Sequence, residues 1–218
     1  IDPDFAELQF RWAQALLLVT NYAAAQDHFQ HACDKDALPF RADTRINQTI
    51  RAISKRCSAE QLVLCDVEAA MAWAAKDGIA GGESFFEHVH FNFDGNYRVA
   101  RIWAEHVLQS LPKDVQLKAS DGWVSQEFCE SAIGLAGLNR MAVIGVVGGR
   151  IQKPPLAHQF TNPQRAQRLQ KQWNEIAQTM NSNAIASARV EFAAAVTRSP
   201  EDNLLRENFG VFLKSIGD

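Results

Sequence analysis

Gln61-Leu62-Val63-Leu64-Cys65-Asp66-Val67 is the stretch on which the reading of this fold turns. A short apolar run of this length, followed at once by a helical pattern over Glu68 to Ala75, reads as a buried strand feeding a helix, with Asp66 as the helix cap. Upstream, Arg41 to Lys55 has the helical spacing of Ile46, Ile50 and Ile53. A buried strand must find partners for its N–H and C=O groups. The other strand-like run, Ala142 to Val147, is interrupted by glycine and reads equally as helix. The remaining strands are therefore expected upstream of Ile1 or in a partner chain.

Downstream stands Phe85-Phe86-Glu87-His88-Val89-His90-Phe91-Asn92-Phe93-Asp94-Gly95-Asn96-Tyr97. A carboxylate three residues before a histidine can hold the ring's Nδ1 proton and leave Nε2 to act as a base. Glu87 and His90 are the candidate catalytic pair. The following helix is expected to start at Asn92 as N-cap, to turn Ala100, Trp103, Ala104, Val107 and Leu111 inward, and to end at Pro112. Two other readings remain open for the same residues. His88 and His90, at i and i+2, could join Glu87 at a metal, although helical register sets His106 away from the loop. Alternatively the two histidines simply make a polar loop capped by the next helix. No metal or cofactor is assigned.

The two ends of the chain share a spacing. Ala25, Phe29 and Ala32 are matched by Ala188, Phe192 and Ala195, and Trp12, Ala13 and Leu16 by Phe209, Gly210 and Leu213. Small residues at Ala13, Ala25, Ala32, Ala188 and Gly210 would let antiparallel helices approach, with aromatic and leucine side chains filling the gap. Pro200 falls between the two late segments, where a helix must stop. Helical hairpins are expected over residues 5–34 and 163–216. Ser125 to Gly134, Leu138 to Gly148 and Pro163 to Met180 also read as helices, with a break at Pro154-Pro155.

Bulk properties exclude more than they assign. A net charge of −3 makes no general case for nucleic acid or an anionic membrane, and no apolar run approaches the roughly 18 residues of a membrane helix. Between Leu138 and Asn174 there are six basic residues and no acidic one, but glutamines rather than aromatics lie among them, which suits a solvated face. Cys33, Cys57, Cys65 and Cys129 form no C-x-x-C pair, which disfavours structural zinc and points toward a reducing compartment such as the cytoplasm. The first and last residues read as the ends of a fragment.

Residues 41–112 resemble the C-terminal part of the SGNH (GDSL-like) hydrolase superfamily. The matching features are the helix, the strand ending in Asp66-Val67, the Gly78-Ile79-x-Gly81 turn and Phe86-Glu87-His88-Val89-His90-x-Asn92-x-x-Gly95. The terminal segments resemble tetratricopeptide repeats. Bacterial proteins joining the two would carry a helical hairpin over residues 1–40, the last piece of a flavodoxin-like α/β/α domain over 41–113, and a helical region ending in repeats over 114–218. The fold expected is thus mainly α, with hairpins flanking that α/β/α piece. By resemblance His90 would be the base and Glu87 its orienting residue. Glu87 replaces the family's aspartate, and the Gly-Asp-Ser nucleophile segment is absent, since neither Asp121-Gly122 nor Ser125 reproduces it. Two functions follow as expectations: a fragment of an esterase or acyl hydrolase that does not turn over esters alone, or a non-catalytic helical scaffold that binds a protein partner.

Overall fold

The computed structural model describes residues 2–57, 62–116 and 122–218. Among these residues every regular element is helical and no strand forms; the only β pairing is an isolated antiparallel bridge between Phe85 and Phe91. The chain divides into two compact units, Ile1–Ser120 and Asp121–Asp218.

The first unit opens with α1 (Ala6–Leu18) and α2 (Tyr22–Asp34), a hairpin whose seam follows the small residues. Ala13 and Ala25 are fully buried and Ala32 nearly so, which brings the backbones close enough for Phe10 and Phe29 to meet edge to face at 5.4 Å. Trp12 stacks on His28 at 4.2 Å. The Asn21 side chain accepts from Ala24 N and caps α2. Next come α3 (Thr44–Arg56), capped by Asp43, and α4 (Val67–Ala74), capped by Asp66. α5 (Phe93–Ser110) is capped by Asn92, whose Oδ1 accepts from Gly95 N at 2.8 Å. A single turn, α6 (Lys113–Gln116), follows Pro112.

The expected strand is not there. Gln61 lies outside the described residues; Leu62 to Asp66 carry no strand pairing, and Val63 is 57% exposed. Asp66 instead caps a helix, its Oδ1 accepting from Ala69 N, and Val67 is already the first residue of α4. The physical reason is the one that made the run diagnostic: an extended segment without a ladder partner gains nothing from being a strand. This overturns the α/β/α piece, and with it the resemblance to an SGNH-type domain.

The inward face assigned to α5 is also wrong. Gly95 and Val99 are its buried residues, while Trp103 and Val107 are 58% and 59% exposed. α4 packs against α5, but its eight residues span about 12 Å against about 27 Å for the eighteen of α5. Beyond the reach of α4, Trp103 and Val107 are left exposed while Ile102, Ala104 and Leu108 are half-buried.

The second unit contains α7 (Gln126–Ala132), α8 (Gly137–Ile151), α9 (Asn162–Thr179), α10 (Ser182–Arg198) and α11 (Asn203–Ile216). Ala142 to Val147 is part of α8. Ile144, Val147 and Ile151 of α8 are buried, as are Leu156, in a short 3-10 turn, and Leu169 of α9, and α8 packs on α9. The break at Pro154-Pro155 separates them, and Asn162 Nδ2 closes it by donating to Ile151 O at 3.0 Å. The core of the α10–α11 hairpin is Phe192, Ala195, Leu205 and Phe212, with Ala188 and Phe209 packed against it. Asp202 caps α11 just after Pro200. Gly210 does not serve the close approach expected of it: it is exposed, and a Cβ there would meet nothing. Packing of this hairpin does require a glycine at Gly134, at φ +71°, where a Cβ would come within 2.0 Å of the Phe192 ring.

Candidate functional site: a carboxylate between two histidines

The loop from Ser84 to Asn92 folds back on itself ahead of α5. Phe86 N donates to His90 O and Asn92 N to Ser84 O, both at 2.9 Å, so the two arms of the loop are tied at two levels. Phe85 stacks on Phe91 at 4.7 Å, and Phe86 meets Phe93 edge to face at 5.3 Å. Ser84 is buried, and its Oγ accepts from Arg98 Nη1 at 3.0 Å, which fastens the loop to α5.

Inside this turn the Glu87 side chain is wholly buried. Its Oε1 engages His90 Nδ1, its Oε2 accepts from Val89 N at 3.0 Å, and His88 Nδ1 lies 2.5 Å from the same oxygen. The carboxylate is thereby placed between two imidazoles. Burial alone would raise its pKa. The Val89 amide, the His90 ring and the charges of His88 and His90 outweigh that, so Glu87 ionises below the ordinary carboxylate range. His88 is largely covered and sits against Phe40 at 5.2 Å, while His90 is about half exposed.

The structure thus brings Glu87 and His90 together and adds His88, which the sequence reading treated as a ligand or bystander. The signal lay in its adjacency to Glu87: in a turn, rather than an extended segment, residues i and i+2 both reach back to one carboxylate. His106 lies on α5, and among the described residues no three His, Cys, Asp or Glu side chains converge in a way that could hold a metal ion. Ser125 caps α7 by accepting from Phe128 N at 3.2 Å. Ser84, the one hydroxyl built into the loop, accepts from Arg98 and donates to Glu83 Oε1 at 3.4 Å. Chemically, this arrangement orients the His90 ring and latches a turn.

A second constellation was missed. Arg51 of α3 donates from Nε and Nη2 to the two oxygens of Asp66 at 2.6 and 3.0 Å and also pairs with Glu68. The fork lowers the Asp66 pKa and raises that of Arg51.

Fold and site together define a mainly helical protein whose histidine–carboxylate cluster closes a loop. Comparison with family models, with curated proteins and with solved structures finds no match for the chain. Among the described residues no single helix is long and apolar enough to cross a membrane.

Proposed function

We propose that this chain is a non-catalytic helical scaffold, with tetratricopeptide-like hairpins at α1–α2 and α10–α11, that presents apolar surfaces to a protein partner. The observation that carries the reading is the apolar exposure of the first unit: Trp73 of α4 is 90% exposed, and Trp103 and Val107 stand open on α5. Exposed tryptophans are costly to leave in water and are enriched among residues that dominate binding energy. The loop chemistry is compatible with this role, because a buried carboxylate that accepts from the Val89 amide and engages the His90 ring ties the turn ahead of α5.

A photo-crosslinking side chain placed at Val107 tests the proposal, with Lys171 on the polar surface of α9 as control. A discrete crosslinked protein from position 107, absent from position 171 and lost on Trp103→Ala, is the expected result. Turnover of short acyl esters by the purified chain, abolished by His90→Ala, would overturn the non-catalytic reading.

A further inference from the structure

We propose that the isoleucine stripe of α3 is a docking surface for an acidic amphipathic helix of a partner protein; this rests on the scaffold reading above. The helix is mounted inside out. Ile46, Ile50 and Ile53 stand at i, i+4 and i+7, within about 60° of arc on a helical wheel. They are 46%, 48% and 51% exposed, and α3 buries no residue of its own. The side turned toward the protein is the polar one. Arg51, roughly 130° round from the stripe, holds Asp66 through a two-point fork and also pairs with Glu68. A two-point fork fixes how the guanidinium meets the carboxylate, and the start of the same helix is tied separately, Thr44 N donating to Asp34 Oδ1 at 2.9 Å. The isoleucines are therefore held outward by specific contacts.

The residues beside the stripe indicate what covers it. One edge carries Arg45 and Arg56, the other Asn47 and Ser54, and no acidic side chain occurs from Thr44 to Arg56. A second copy of α3 laid antiparallel on this stripe would bring arginine against arginine, and laid parallel would set the arginines against Asn47 and Ser54, so in neither direction does a carboxylate meet them, which disfavours self-pairing. A lipid surface is best served by a broad face bearing Trp, Phe or Leu; this stripe is narrow and holds no aromatic. Anchors at i, i+4 and i+7 match helix-on-helix recognition. Carboxylates along one flank of the incoming helix would meet Arg45 and Arg56, and uncharged polar groups on its other flank would meet Asn47 and Ser54. The asymmetry of the two edges sets the direction in which the partner lies.

The probe is a labelled helical peptide about 15–20 residues long, with leucines at heptad spacing and glutamates along one flank, compared with its glutamate-to-lysine counterpart. Fluorescence anisotropy with the whole 218-residue chain should show the acidic peptide binding at least about tenfold more tightly than the lysine peptide. Ile50→Ser should weaken it by about tenfold or more, and Arg45→Gln with Arg56→Gln should weaken it and flatten its salt dependence. Circular dichroism should be unchanged, since Ile50 and both arginines are exposed. Equal binding of the two peptides, or binding indifferent to Ile50→Ser, would overturn the proposal. So would Ile50-dependent binding to phosphatidylserine vesicles without peptide binding, or an Ile50-dependent dimer. Crosslinking at Val107 without peptide binding would sink this inference and leave the scaffold reading standing; ester turnover lost on His90→Ala would remove the scaffold reading itself.

Discussion

Gly95 lies directly beneath the carbonyl of Ser84: a Cβ at position 95 would come within 2.1 Å of that oxygen. The glycine is inside α5, where alanine would ordinarily be favoured by about 1 kcal/mol. Here contact with a backbone atom that cannot step aside decides the sign. Gly95→Ala should destabilise the first unit by about 1–3 kcal/mol, read as a fall in Tm. A neutral or raised Tm would mean that the Ser84–Asn92 loop does not press on the helix.

Glu87 makes the loop sensitive to acid. Its folded pKa is depressed below the ordinary 4.5, so its contribution is complete above that value and is lost as pH falls through the lower folded one. Glu87→Gln should therefore cost about 1–3 kcal/mol near neutral pH, with the gap to the parent protein closing below about pH 4. Denaturation curves that keep the same separation across that range would assign the stabilisation elsewhere.

Two large aromatic residues should respond in opposite ways to truncation. Phe192 is 1% exposed and touches Phe209 and Phe212 at ring distances of 5.3 and 5.0 Å. Phe192→Ala should cost about 3–5 kcal/mol. Trp73→Ala should change stability by no more than about 0.5 kcal/mol, and its effect should appear in partner crosslinking. Comparable losses of stability at both sites would show that Trp73 is covered in solution.

Arg51→Gln should loosen α3 while leaving the α1–α2 hairpin intact. The fork is only about two-thirds covered, so screening limits its worth to about 1 kcal/mol. The informative measurement is amide exchange along Thr44–Arg56, which should speed up while that of Tyr22–Asp34 does not.

What the sequence made legible was local. Asn92 and Asp66 are caps because their side chains reach an amide three residues on, a relation fixed by spacing alone. The α1–α2 seam was readable because Ala25 and Ala32 recur with helical period on α2 and Ala13 offers a small residue on α1. Glu87 and His90 meet because three residues of turn separate them. What failed depended on partners distant in the chain. Leu62 to Val67 looks like a strand only if a ladder exists to receive it. The apolar positions of α5 face inward only if something as long as α5 lies against them. Gly210 copied the spacing of Ala13 without its neighbours. Periodicity says which residues share a face; it does not say what that face meets.

One oxygen of Asp66 accepts from both Ala69 N and Arg51 Nη2. The start of α4 and the placement of α3 thus draw on a single atom, and neither can be altered there alone. Substitutions at Asp66 and Arg51 should be non-additive in a double-mutant cycle, with Asp66→Ala costing more than Arg51→Gln because it also uncaps α4. The two helices should then open together as one cooperative unit during native-state exchange, so that strain applied to the isoleucine face of α3 is felt at the root of the helix that carries Trp73.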